Sequence, residues 1–317
     1  MSEIPMTLPG DVPDPKVESA TAPQPRAPRQ GRLAWLRARL TDLGPRILSS
    51  LILAGIAVST LVTGGLPFAI AWLAATLAVY TEWQLLIGGQ RFVPRLAIGA
   101  VTILIGAWLA YAAYPGFALL ALVVGACVCA YTAERGRRGW SAAGVIYAGS
   151  LIVSVLTLRP SFPFGERAVG WLFAVVWGTD VVAYFAGRLI GGPRFAPQIS
   201  PSKTWAGTLV GMVGGAALGS LFLAMAAYTS QVETPSPALV LFLLGLITSA
   251  VAQGGDLFES WTKRCFGAKD SSALIPGHGG IMDRVDGFIA AAAWVALLGT
   301  LHGLGFPSPA EGLFHWM

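Results

Sequence analysis

The sequence predicts an all-α, polytopic integral membrane protein with about nine transmembrane helices and its N-terminus inside. Three observations carry this. The 317 residues are 55% hydrophobic and only 12% charged, with a mean hydropathy of +0.65, whereas a soluble globular chain carries about 25% charged residues. Apolar runs of spanning length recur along most of the chain, each closed by Gly, Pro or charge. Of the 21 Lys and Arg residues, 19 fall in alternate intervals between those runs, as expected when positive loops stay on the cytoplasmic side. The net charge of +5 is thus a property of one membrane face and gives no reason to expect a nucleic-acid partner.

Taken in order, residues 1–31 are rich in Pro, Ala and charge and lack the apolar stretch of a signal peptide, so a disordered cytoplasmic tail is expected. In 32–46, Leu33, Leu36, Leu40 and Leu43 recur at helical spacing with Arg32, Arg37, Arg39 and Arg46 between them. That suits either a helix lying on an anionic membrane surface or a basic flank that only fixes orientation. Candidate spans follow at 47–63, 66–88, 95–113, 116–133, 140–158, 168–190, 206–228, 237–254 and 285–304. If the first two form one bent unit, eight remain. The spans group into an N-terminal set over 47–158 and a region over 159–305 with two long cytoplasmic loops, about 188–205 and 255–284, before a short tail at 306–317. Cys127, Cys129 and Cys265 have no partner ligands nearby and read as packing residues.

The polar residues of the second region cluster. In "WGTDVVAYFAGRLIGG", Asp180 lies within a span, and Tyr184 and Arg188 follow at i+4 and i+8 on one face. A carboxylate there either glues helices together, for example by pairing with Arg188, or lines a polar site that binds or orients a substrate. In "ISPSKTWAG", Ser200, Lys203 and Thr204 supply hydroxyls and a cation before a helix start, which is either an ordinary cap with a positive-inside lysine or an anion site. Then Asp256, Glu259 and Ser260 are spaced i, i+3, i+4, with Lys263 at i+7, while Asp283 and Asp286 repeat the i, i+3 spacing in "HGGIMDRVDG". Four carboxylates gathered at one boundary would repel one another. A divalent cation relieves that, and carboxylates with water and phosphate oxygens are the ligand set of Mg²⁺. The cations Lys263, Arg264, Lys269 and Arg284 suit a polyphosphate, and Gly279 and Gly280 allow backbone to approach a ligand. A solvated, salt-bridged loop is the plain alternative. Zinc is not expected, because His278 has no second His or Cys near it. The combination fits phosphoryl or nucleotidyl transfer to a lipid at a membrane surface.

The stretch "SWTKRCFGAKDSSALIPGHGGIMDRVD", Ser260 to Asp286, resembles the signature of the phosphatidate cytidylyltransferases (CDP-diacylglycerol synthases): S-x-x-K-R, K-D, P-G-H-G-G and D-R-x-D in turn. "DVVAYFAGRLIG", "ISPSKTWAG" and "GDLFES" are similar too, and "GVIYAG" and Glu82 with Trp83 more weakly, so the likeness covers roughly 46–305. The chain departs from the pattern at Ala206, where the family commonly has Glu, at Ser202 and at Gly287. The resemblance implies a helical enzyme of phospholipid biosynthesis in a bacterial-type inner membrane. Its active site would face the cytoplasm, and it would convert CTP and phosphatidic acid to CDP-diacylglycerol and pyrophosphate. It implies Mg²⁺, with a monovalent cation such as K⁺ as a second candidate, the lipid bilayer as surroundings and a homodimer as the assembly. Carried onto this chain, the metal ligands are Asp256 and Asp283, with Glu259 and Asp286 as ligands or their supports. Lys263, Arg264, Lys269 and Arg284 hold phosphates, and His278 belongs to the catalytic set. Ser200, Lys203 and Thr204 hold one substrate phosphate, Asp180 orients a substrate or cation, and Tyr184, Arg188, Ser260, Gly279 and Gly280 line the substrate site. Rival readings are a CTP-dependent lipid kinase, which would release CDP, a CDP-alcohol phosphotransferase, whose paired-aspartate spacing is absent, and a transporter, which would carry its charges deep in several spans.

Overall fold

The computed structural model describes residues 32–230, 236–272, 274 and 279–316, with side chains from residue 48 onward except that of residue 230. The tail expected over 1–31 and the side chains of the basic segment 32–46 lie outside the described residues. The chain divides into two compact units, Met1–Asp42 and Leu43–Met317. The first is described only from Arg32, where it is helical.

The second unit is a bundle of helices. After α1 (Arg32–Thr63) come α2 (Gly65–Ile87), α3 (Phe92–Tyr111), α4 (Pro115–Thr132), α5 (Arg138–Leu158), α6 (Phe164–Leu189), α7 (Trp205–Ser230), α8 (Ala238–Cys265), α9 (Met282–His302) and the short α10 (Pro309–Leu313). The eight helices α2 to α9 are long and apolar enough to cross a membrane, and they match eight of the nine expected spans. The remaining one, at 47–63, is a shorter apolar stretch, Leu48–Thr63. At 1.5 Å per residue it reaches about 24 Å, less than the roughly 30 Å of a bilayer core. It ends where Gly64 and Gly65 take positive φ, 61° and 52°, a backbone that favours glycine.

Two expected loops are more ordered than the hydropathy suggests. Helix α8 runs on to Cys265, so the second long loop begins only there. Its added turns carry Asp256 to Arg264, and Glu259 and Lys263 pair across one of them at i, i+4. The first long loop holds an antiparallel hairpin, β1 (Arg194–Ala196) with β2 (Ser200–Thr204). The short tail is also built in: Ser308 caps α10, Phe314 is buried, and Trp316 stacks on His302 at 3.8 Å. Of the three cysteines read as packing residues, Cys129 is buried, but Cys127 and Cys265 are exposed.

Glycines set the closest helix contact. In α7, Gly207, Gly211, Gly215 and Gly219 recur every fourth residue and face α6, where a Cβ on Gly211 or Gly215 would meet Thr179 O at 2.9 Å or Val175 O at 2.7 Å. Small residues at this spacing let two backbones touch in a membrane, and here they bring the hairpin alongside Asp180. A stack of Trp72 on Phe173 and Phe288, with ring centroids 6.0 and 5.0 Å apart, ties α2 to α6 and α9.

The bundle sorts its charge by end. At one end Gln90 N–H reaches Glu134 at 2.7 Å, Arg137 donates to Ile87 O at 2.5 Å, and Arg264 reaches Ile199 O at 3.4 Å. At the other, Arg159 donates to Leu61 O at 2.6 and 2.9 Å, and Ser308 meets Ser161. Of the predicted inside cations, those from Arg91 onward therefore lie at one end, and Arg159 and Arg167 at the other.

Candidate active site

Helices α8 and α9 meet at the charged end through glycine. A Cβ on Gly255 would stand 2.9 Å from Asp286 O, and one on Gly287 would stand 3.0 Å from Ala252 O. Gly287, one of the departures from the family pattern, is thus a point of close approach. It sets Asp286 beside Asp256. One oxygen of Asp256 lies 2.6 Å from Lys203 Nζ, and the other accepts from Ser260 Oγ at 3.4 Å. Lys203, at the end of the hairpin, also donates to Gln253 Oε1 at 2.9 Å. Asp286 accepts from Gly287 N–H at 2.8 Å through Oδ1. Asp180 on α6 is exposed, yet lies within the electrostatic field of Asp256, Lys203 and Arg284, and Asp286 lies within that of Asp256, Asp180 and Lys203. A carboxylate that is both accessible and ringed by charge lines a crevice. Three helices and the hairpin each supply one group to it.

The other two expected carboxylates share a buried lysine next to this cluster. Lys263 Nζ lies 2.7 Å from Glu259 Oε2 and 2.5 Å from Asp283 Oδ1. The Glu259 side chain is fully buried, and its contact with Lys263 is an ion pair without hydrogen-bond alignment. Asp283 is saturated with donors: besides Lys263 it accepts from Ser271 N–H at 3.0 Å, Ser271 Oγ at 2.8 Å and Gly280 N–H at 2.8 Å. Gly279 has φ 79° and would set a Cβ 2.6 Å from the Asp283 carboxylate, so the turn around Asp283 requires glycine there.

The structure distributes the remaining expected residues around these sets. Arg188 extends over the Tyr184 ring, 4.6 Å from its centroid, and among the described residues Asp180 and Arg188 form no ion pair. Thr204 accepts from Gly207 N–H at 3.1 Å and so starts α7, while Ser200 opens β2. Arg264 donates to Ala268 O at 3.0 Å, and Arg264, Lys269 and Arg284 keep exposed side chains at the same end. His278, with Pro276 and Gly277, lies outside the described residues.

Among the described residues no three His, Cys, Asp or Glu side chains converge closely enough to hold a metal ion alone. Mg²⁺ does not need that. It takes one or two carboxylates and fills its octahedron with water and substrate phosphate. Asp256, whose side chain is 30% exposed, and the half-buried Asp286 beside it carry carboxylate oxygens suited to that role, whereas Asp283 has its oxygens committed to the loop. The i, i+3 pair read along α8 therefore splits by partner: Asp256 holds Lys203, while Glu259 joins Asp283 on Lys263.

Four residues escaped the sequence reading or were underweighted there. Gln253 shares Lys203 with Asp256, and its place one turn before Asp256 was the available signal. Tyr147 of "GVIYAG" buries a hydroxyl that has no hydrogen-bond partner among the described residues, with Asp286, Glu259, Asp256 and Asp283 as its charged neighbours. In the same motif Gly144 lies under the Trp83 indole, where a Cβ would stand 2.6 Å from the ring nitrogen. Glu82, noted only as a weak match, accepts four hydrogen bonds from the signature loop and the start of α9.

Membrane-length helices with acids and cations interleaved at one end define an integral membrane protein with a charged site at that end. The chain belongs to the cytidylyltransferase family, whose model matches residues 44–302. It is 40% identical over 263 residues to the phosphatidate cytidylyltransferase of Brucella abortus biovar 1 (strain 9-941), covering 83% of this chain and 95% of that protein. It is 28% identical over 268 residues to that of Bacillus subtilis (strain 168), covering 79% and 95%. To that of Rickettsia bellii (strain RML369-C) it is 35% identical over 140 residues, covering 44% and 61%.

Proposed function

We propose that this chain is a phosphatidate cytidylyltransferase. It joins CTP to phosphatidic acid, releases pyrophosphate and leaves CDP-diacylglycerol in the membrane for phospholipid synthesis. The observation that carries this is the 40% identity over 95% of a relative of that name, together with a carboxylate crevice at the charged end of the bundle. Phosphatidate already bears an anionic oxygen, so attack on the α-phosphorus of CTP needs little proton removal. The obstacle is repulsion between the two anions, and charge and positioning overcome it.

Bound Mg²⁺, held by Asp256 and Asp286, would supply charge neutralisation on the phosphates. The chain's own groups do the rest. Lys203, held by Asp256 and Gln253, offers its ammonium to one substrate phosphate. Arg264, Lys269 and Arg284 line the approach as phosphate contacts, Asp180 orients substrate or cation from the crevice wall, and Lys263 keeps α8, α9 and the loop in register. The charged end faces the cytoplasm of a bacterial inner membrane, and the homodimer follows from the family resemblance alone.

Incubating the purified protein with CTP, phosphatidate and Mg²⁺ should yield pyrophosphate and CDP-diacylglycerol. Release of CDP instead would assign it to the lipid kinases. Lys203→Ala should raise KM for a substrate about tenfold or more, the scale of one charge-assisted hydrogen bond, with little change in melting temperature. Unchanged KM for both substrates would remove Lys203 from phosphate binding. For orientation, in a variant with Cys127, Cys129 and Cys265 replaced by Ser, a cysteine at Arg135 should react with a membrane-impermeant thiol reagent only in inverted vesicles, and one at the exposed Phe162 only in intact cells. The opposite pattern would reverse the topology.

A further inference from the structure

The loop that carries the signature is fastened from a distant part of the chain. Glu82, on α2, is 3% exposed, and among the described residues it forms no ion pair with a Lys, Arg or His. Each of its oxygens takes one hydroxyl and one backbone N–H. Oε1 accepts from Ser272 Oγ at 2.8 Å and Ile281 N–H at 2.9 Å, and Oε2 accepts from Ser271 Oγ at 3.1 Å and Met282 N–H at 2.7 Å. The two amides belong to the start of α9, where unsatisfied N–H groups and the helix dipole stabilise a carboxylate. Here the capping carboxylate comes from another helix. Ser271 is shared, because its hydroxyl also lies 2.8 Å from Asp283, which in turn holds Lys263. A Cβ on Gly280 would stand 2.6 Å from the Glu82 carboxyl carbon, so the loop closes on Glu82 without room to spare. Trp83, the next residue, fixes α2 by donating to Trp140 O at 2.8 Å and packing 6.2 Å from Phe258 of α8.

We infer that Glu82 is a positioning residue for the reaction: it holds both ends of the signature loop and the first turn of α9 so that Asp283 meets Lys263 and Asp286 reaches the crevice. This rests on the cytidylyltransferase reading. A buried carboxylate with no paired cation is a costly way to fill space. Only a group with two acceptor oxygens serves two hydroxyls and two amides at once. Glutamine keeps the shape but turns an NH₂ toward one of the two donor pairs.

The test uses the full-length protein in detergent and in phosphatidate-containing nanodiscs. E82Q should lower kcat by about tenfold to a hundredfold, the scale expected when reacting groups are misplaced by about an ångström, with KM for CTP changed far less. Amide hydrogen exchange at Ile281 and Met282 should speed up in the absence of any substrate, while exchange in α3 and α4 stays as in wild type. E82D, which keeps both oxygens on a shorter stem, should recover part of kcat. Wild-type kcat together with wild-type exchange at Ile281 and Met282 in E82Q would overturn the inference. Should E82Q not fold, S272A, which removes one donor to Glu82, carries the test: faster exchange at Ile281 with a lower kcat supports the role, and wild-type values of both overturn it. A wild-type protein that releases no pyrophosphate, with the exchange difference still present, would instead refute the reaction and leave the fastening of the loop intact.

Discussion

Asp256→Asn will lower kcat/KM for pyrophosphate release by roughly a hundredfold to a thousandfold, the usual cost of losing one preorganised electrostatic group. It will leave the melting temperature nearly unchanged. The Asp256 side chain is 30% exposed and Lys203 keeps Gln253 as a partner, so removing one charge here leaves no buried ion stranded. The variant should also need more Mg²⁺ for half-maximal activity, because asparagine is a weaker ligand for a hard cation. The competing idea is that Asp256 serves only to hold the hairpin through Lys203. That idea predicts a lower melting temperature, an unchanged Mg²⁺ requirement and near-normal turnover in the folded fraction. Measuring all three on one preparation decides between them, and normal turnover at the wild-type Mg²⁺ optimum would end the metal assignment.

Lys263→Met should have the opposite profile, with a large loss of stability. Lys263 stands between Glu259, whose side chain is fully buried, and Asp283, whose side chain is 8% exposed. Removing the cation leaves two buried carboxylates facing each other, and breaking a buried pair in this way costs about 3–5 kcal/mol. Asp283 retains Ser271 and Gly280 as donors, so Glu259 is the group left stranded. The double variant Lys263→Met with Glu259→Gln should therefore recover much of the lost melting temperature without recovering full turnover. If Lys263→Met melts like wild type, the buried pair is not what holds α8 to α9. If the double variant is no more stable than the single one, Glu259 is not the stranded charge.

The contrast between these variants shows where sequence reading stopped. Spacing along α8 places Asp256 and Glu259 three residues apart, which reads as one face and one metal-binding unit shared with Asp283. A helix turns about 100° per residue, so residues at i and i+3 point about 60° apart. That difference is enough for Asp256 to reach Lys203 on the hairpin while Glu259 turns to Lys263 and the interior. Which side chain faces a crevice and which faces the core depends on how each helix is rotated about its own axis, and neighbours remote in the chain set that rotation.

What the sequence by itself determined is the part governed by local and additive physics. A low charge fraction and repeated apolar runs specify a membrane bundle, because the cost of burying polar backbone and charge in lipid sums residue by residue. The Lys and Arg bias groups alternate loops together, and the run from Ser260 to Asp286 gathers acids and cations into one stretch. Tertiary structure alone decided how that charge is partitioned. It gave Asp256 to Lys203 and set Glu259 and Asp283 on the buried Lys263, and it built a hairpin to deliver Lys203. It packed α7 on α6 through glycine, and it sent Glu82 from α2 to cap a helix 200 positions away. The physical reason is that a pairwise interaction between distant residues leaves no periodic trace in the sequence. Burial and charge patterns record how polar a position is, whereas the identity of its partner appears only when two helices meet at a given rotation and depth.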